Sequence, residues 1–260
     1  MNSVFGIIEA FKRFLLEIGD ISDFAGRFFK EVFKPPFEFK EFLRQCYNMG
    51  NRSLLLVGVT GFIIGLVFTL QSRPTLQQFG AVSWIPAMVS VSIIREIGPI
   101  ITALICAGRI GSGIGAELGS MRVTEQIDAM EVSGTNPFKY LVVTRILATT
   151  LMLPILVFIG DGVALLGSFL VENLKGDVSL LLYFTQVFNH LEFFDVIPST
   201  IKSFFFGFAI GLVGCFKGYY CKKGTAGVGL AANSAVVFSS MLLFIIDFIA
   251  VFVSNVFYDV

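Results

Sequence analysis

Charge is scarce in this sequence. Only 15% of its 260 residues are Asp, Glu, Lys or Arg, where a soluble domain carries about a quarter. The two signs balance to a formal net charge of zero, which excludes an electrostatic nucleic-acid binder. There is one histidine and one tryptophan. The cysteines Cys46, Cys106, Cys215 and Cys221 have no metal-ligand spacing and lie in or beside apolar stretches, so they read as small apolar filler. Nothing about them requires an oxidising compartment. No G-x-x-x-x-G-K-[ST] loop is present, and KKGTAG around Gly224 has the wrong order for one. GRIGSGIG, from Gly108 to Gly115, resembles a dinucleotide loop only superficially, because it follows a hydrophobic helix rather than a strand. The sequence has no metal site to offer.

Apolar residues, by contrast, make up 55% of the chain and include 30 phenylalanines. Crossing the hydrocarbon of a bilayer takes about 20 mostly apolar residues. Five stretches qualify, at about 53–70, 84–108, 141–171, 199–220 and 231–257. The third is long enough to need a tilt or a kink, and Pro154 offers a site for one. The segment Val178–Pro198 has only a short apolar run before Asn189, His190, Glu192 and Asp195, and reads as an amphipathic element against the membrane surface. His190 is then a polar-face residue.

Lys and Arg in the connections set the orientation. Fifteen fall before the first span, in or flanking the connection between the second and third (Arg109, Arg122, Lys139 and Arg145), and at or after the end of the fourth (Lys217, Lys222 and Lys223); Arg73, Lys175 and the bordering Lys202 are the three on the other side. The N-terminus is therefore expected in the cytoplasm, with Val260 outside. The first 52 residues show no compact apolar region ending at a small-residue cleavage site, so they are not read as a signal peptide. Val4, Ile7, Ile8, Phe11, Leu15 and Ile18 recur at helical spacing opposite Glu9, Lys12, Arg13, Glu17 and Asp20. Phe24, Phe28 and Val32 extend that stripe to a break at Pro35-Pro36. Such faces describe helices lying in the interface plane. The expected architecture is an all-α integral membrane protein: an amphipathic interfacial region over 1–52, then a transmembrane domain over 53–260.

Arg95 and Glu96 interrupt the second span. Ionisable groups at membrane depth are tolerated where they face a cavity or a partner. Pro99 lacks an N–H and deprives the Arg95 carbonyl of its helical donor, and irregular backbone at depth belongs beside a cavity. Asp161 and Asp247 are further carboxylates within spans and the natural partners if Arg95 forms a structural ion pair. A proton relay through Glu96, Asp161 and Asp247, as in a secondary transporter, is the competing reading; the absence of inverted repeats weakens it. A purely structural scaffold is disfavoured by the cost of these charges. Gly61/Gly65, Gly207/Gly211 and Gly214/Gly218 have the small-residue spacing of close helix packing in lipid. Between spans two and three, about 116–133 reads as a short amphipathic cytoplasmic helix ending near Gly134, with Met121, Glu125 and Asp128 on one face.

The stretch from Ile94 to Ala148, and above all ELGSMRVTEQIDAM within it, resembles the signature region of the MlaE-type permeases, the membrane subunits of Mla and related MCE lipid-transport systems. FTLQSRPTLQQFG, IKSFFFGFAIGLVGCFKGYY and LLFIIDF extend the similarity over nearly all of the chain beyond its amphipathic N-terminus. The resemblance implies a non-enzymatic permease subunit in a bacterial inner membrane, a homodimer holding phospholipid between subunits and maintaining outer-membrane lipid asymmetry. It implies a cytoplasmic ABC ATPase, which binds the ATP, and a periplasmic MCE-domain protein as partners. It also implies residue roles. Gln71, Arg95, Glu96 and Lys202 would border the lipid, Leu76 and Phe79 would touch acyl chains, and Glu117, Arg122, Glu125 and Asp128 of the coupling helix would face the ATPase.

Overall fold

A computed structural model describes the backbone of residues 2–222 and 224–258 and the side-chain surroundings of 16–222 and 224–256. The apolar stripe from Val4 to Leu15, Lys223 and the C-terminal Val260 fall outside the residues so described. Among the described residues there are helices and no strands. Five helical stretches are long and apolar enough to cross a membrane: Phe39–Gln78, Val82–Val123, Phe138–Gly176, Phe193–Tyr219 and Thr225–Val256.

Helix α1 (Asn2–Val32) precedes them as one helix. Ile21, Phe24 and Phe28 fall at helical spacing and are buried. Phe24 meets Phe138 and Phe216 edge-on, and the Arg27 guanidinium lies 4.1 Å from the Phe138 ring centroid. Phe29 on α1 and Phe33 just past its end nevertheless remain exposed, so apolar surface faces both toward the bundle and away from it. The Pro35-Pro36 break is tied down from the far side. Asn136 donates to Glu31, the Lys139 ammonium donates to the Lys34 carbonyl, and Lys34 beside Glu31 holds that carboxylate below its ordinary range.

Helix α2 (Phe39–Gln78) runs unbroken through residue 52, so the residues from Phe39 onward and the first span form a single helix of 40 residues. The second span is a chain of shorter helices, α3 (Ile85–Ser92), α4 (Gly98–Cys106) and α5 (Ser112–Val123). They are joined by π-helical turns at Ile93–Ile97 and Ala107–Gly111. The first turn follows from Pro99: with no N–H to serve the Arg95 carbonyl, the helix widens and the Gly98 N–H reaches the Ile93 carbonyl instead.

The expected coupling helix over 116–133 is not one helix. Helix α5 carries the second span on to Val123, and Glu125 adopts φ 59°, a left-handed conformation that a continuing helix cannot contain. A separate α6 (Gln126–Val132) follows. Glu125 and Asp128 therefore do not share a helical face with Met121. The expected stop is present: Gly134 has φ 79°, with its N–H on Glu131 and the Thr135 N–H on Met130, a Schellman closure.

Helix α7 (Thr144–Gly176) follows a further π-helical segment, Phe138–Val143, and contains Pro154. The Val178–Pro198 stretch divides into α8 (Leu180–His190) and the start of α9 (Phe193–Tyr219), which contains Pro198. Helix α8 buries Tyr183 and Val187, one turn apart, against Ile94 and Leu165 and exposes Leu181 and Phe188. His190 is exposed with its ring against Trp84, 5.2 Å between centroids. Helix α10 (Thr225–Tyr258) closes the bundle.

Glycines set the helix spacing. A Cβ at Gly65 would lie 1.8 Å from the Ala164 carbonyl oxygen, and one at Gly167 would lie 2.3 Å from that of Phe62, so α2 and α7 touch backbone to backbone.

Candidate functional site

Three spans bring their charges together at one place. Lys202, on α9, is 4% exposed. Its ammonium lies 2.7 Å from Glu96 on the first π-turn and 3.1 Å from Asp247 on α10. Arg95 stands 3.9 Å from Asp195, near the start of α9. Asp195 is placed there by the local sequence. Glu192 and Asp195 form a reciprocal capping box, the Asp195 carboxylate accepting from the Glu192 N–H, and this starts α9 at Phe193, nine residues before Lys202. The widened turn at 93–97 carries both Arg95 and Glu96.

A lysine held by two carboxylates is a neutralised cation rather than an open one. Burying it costs little only because both partners contact it directly. Glu96 and Asp247 retain appreciable exposure, so the buried cation connects to a wetter rim. Beside it a cleft of about 520 Å³ opens between α9 and α10. Ile197, Ile201, Phe205, Ile249 and Val253 line it, and Lys202 and Ser254 are the polar residues on its wall. Apolar walls ending at a charged cluster suit a molecule that is itself a chain with a polar head.

The residues expected around a lipid are only partly brought together. Glu96 and Lys202 are in direct contact, and Arg95 is next to Glu96 in the same turn. Leu76 packs with Ile85, Val89 and Ile93, against the outer half of the second span. Gln71 is exposed on α2, and Phe79, at the end of that helix, is 78% exposed with its ring turned away from the bundle core. The expected partners of Arg95 are corrected as well. Asp247 pairs with Lys202, and Asp161 packs against Gly98, with Oδ1 finding no hydrogen-bond partner among the described residues. No hydrogen bond among the described residues joins Asp161 to Glu96 or Asp247.

On the side of the bundle carrying α6, Arg122 binds Asp128 at 2.5 Å across the break at Glu125. Glu117 is half exposed and pairs with the buried Arg145 at 2.8 Å. Sequence reasoning counted Arg145 and Arg73 only as flanking charges. Arg73 is in fact buried, bound to Glu172 at 2.7 Å and to the Lys175 carbonyl at 2.7 Å, joining α2 to α7. Asp195 was likewise missed, although the spacing E-x-x-D ahead of an apolar run is a capping signal.

A family model described as permease MlaE matches residues 42–253. The chain is 40% identical over 237 residues to a probable ABC transporter permease protein of Rickettsia felis, covering 91% of this chain and 92% of the relative. It is 34% identical over 224 residues to a probable ABC transporter permease protein of Synechocystis, covering 86% and 85%. It is also 32% identical over 225 residues to the chloroplastic protein TRIGALACTOSYLDIACYLGLYCEROL 1 of Arabidopsis thaliana, covering 86% of this chain and 64% of that one.

Proposed function

The chain belongs to the MlaE permease family, and on that premise we propose that it carries phospholipid between the membrane and a periplasmic MCE-domain carrier. It is a multi-pass permease subunit. Hydrolysis of ATP is assigned to a separate ABC ATPase, in keeping with relatives named as ABC transporter permeases. A relative named for a galactolipid supports a lipid cargo. The observation that carries the reading is the apolar cleft between α9 and α10 with Lys202 on its wall, the lysine being held by Glu96 and Asp247.

In this reading acyl chains lie along the aliphatic wall while the headgroup meets Arg95 and Glu96 at the rim. Lys202 acts as the fixed centre of the cluster and not as the phosphate's own counter-ion, because two carboxylates already hold it. Gln71, Leu76 and Phe79 extend the lipid path along the end of α2, and a second copy of the chain completes the cavity as a homodimer. Glu117, Arg122, Glu125 and Asp128 form the ATPase-facing surface as two short elements locked by the Arg122–Asp128 pair. The excess of Lys and Arg supports a cytoplasmic position for that surface and the N-terminus, with the chain in a bacterial inner membrane.

The test is reconstitution in vesicles with the ATPase and the MCE-domain protein, following fluorescent phospholipid. ATP-dependent transfer to or from the carrier is expected, and Lys202→Met abolishes it. Transfer that proceeds without ATP but follows a proton gradient would replace this reading with the secondary-transporter one.

A further inference from the structure

At the other end of the bundle, away from the Lys202 cleft, α2, the turn at Ala107–Gly111 and α5 border an open cavity of about 430 Å³. This falls within the usual range for ligand pockets, about 300–1,000 Å³. Its polar wall holds Arg44, Asn48, Arg52, Ser53, Arg109 and Glu117. Two features separate it from an ordinary solvated face. The first is charge. Arg44, Arg52 and Arg109 all line it, Arg109 being anchored by its Nε on the Arg52 carbonyl at 3.0 Å, which leaves the flat outer edge of its fork to present. The acidic residues nearby are already engaged: Glu117 by Arg145 at 2.8 Å, and Glu41 by Gln45 at 2.7 Å and Arg44 at 3.4 Å. The second is Ser53. It is 1% exposed and lines the cavity, and its Oγ finds no hydrogen-bond partner among the described residues. A buried hydroxyl is costly unless something bonds to it.

The flanks of the cavity say what kind of anion reaches it. On α2, Leu43 precedes it, Tyr47 falls between its lining residues, and Leu54, Leu55 and Leu56 follow it, all exposed. An apolar belt begins where the arginines end, which is the depth of lipid headgroups. Basic pockets between helices at that level take anionic headgroups.

We propose that this cavity is a second lipid site, holding the phosphate-bearing headgroup of an anionic phospholipid of the adjoining leaflet, with Arg52, Arg109 and Ser53 as its donors. The phosphate oxygens accept from the two guanidinium forks and from the Ser53 hydroxyl, and the acyl chains lie along the leucines outside. Its occupant binds from the leaflet and stays, whereas the cleft at Lys202 serves the transported lipid. The leaflet is cytoplasmic on the orientation proposed above; a reversed topology would move the site to the opposite leaflet without removing it.

The test is native mass spectrometry of the purified full chain, titrated with phosphatidylglycerol against a phosphatidylcholine background. Loss of two charge-assisted hydrogen-bond donors in Arg52→Gln/Arg109→Gln is expected to weaken phosphatidylglycerol binding about tenfold or more. Ser53→Ala keeps every charge and is expected to weaken it about threefold, and it decides the matter should the double variant not purify. Lys202→Ala lowers the lipid held in the other cleft and leaves the phosphatidylglycerol preference intact. Equal binding by the wild type and both cavity variants overturns the site. So does a preference lost only in Lys202→Ala. Displacement of phosphatidylglycerol by inorganic phosphate at matching concentration would make the ligand a free anion and end the lipid assignment.

Discussion

The seam between α2 and α7 and the seam between α9 and α10 are built on opposite plans. At the first, Gly61, Gly65 and Gly167 bring two backbones together, Thr69 donates to Ser168 at 2.7 Å, and Arg73 fastens the end through Glu172. It is closely packed. At the second, the helices separate over a cleft of about 520 Å³, and a buried lysine shares its charge with two partly wet carboxylates. Close packing between helices in lipid comes from small residues and van der Waals contact, so the first seam resists any change of separation. The second has no such interlock beside the cleft. The difference divides the molecule into a frame and a working face, and the polar cluster sits on the working face.

If that division is right, damage to the frame abolishes the protein, while damage to the working face abolishes only what it carries. Arg73→Ala is expected to have the largest effect on stability. It strands the buried Glu172, and breaking a buried pair on one side costs about 3–5 kcal/mol. Thermal unfolding in detergent should show it, with partial recovery in Arg73→Leu/Glu172→Leu. Gly65→Val comes next. Its Cβ would meet a backbone oxygen that cannot step aside, and overpacking of this kind costs about 3 kcal/mol; a low yield of monodisperse protein on size exclusion is the readout. Lys202→Met leaves two carboxylates near each other, but water reaches both, so its stability loss is expected at about 1–2 kcal/mol. Lys202→Met/Asp247→Asn should regain the stability without regaining lipid. A Lys202 variant as unstable as Arg73→Ala would erase the distinction between the seams.

Glu125→Gly should change stability least. It relieves a left-handed residue, worth about 1 kcal/mol in favour of the variant, and co-purification of the ATPase should be weakened only to the extent that the carboxylate itself makes the contact. Unchanged ATPase binding by Glu125→Lys/Asp128→Lys would remove the docking role from this surface.

Much of the frame was legible in the sequence because lipid imposes it. A hydrocarbon slab asks for long apolar helices, and five such stretches stood out; the glycine pairs marked where helices would meet. Pro99 announced the irregular turn at Arg95. Helix ends were less legible. The second span continues past Gly108 to Val123 because small residues between 111 and 119 pack as readily on α9 and α10 as they would form a loop. The bend at Glu125 carries no glycine to signal it. Of the polar cluster, the Glu96–Lys202 contact joins two residues that the family resemblance singled out, but its third member, Asp247, entered only as a partner for Arg95 or a step in a proton relay. Ion pairing across 45 or 106 positions is a property of the packed bundle that no local pattern encodes.

The central claim is that the charged turn at Arg95 borders a lipid cavity and is not a strut. Phospholipid per chain, quantified by mass spectrometry in wild type and Arg95→Ala purified side by side, tests it most directly. The account predicts an Arg95→Ala protein whose unfolding temperature stays within a few degrees of wild type and whose bound phospholipid falls several-fold. A stable variant holding the wild-type complement of phospholipid would contradict it.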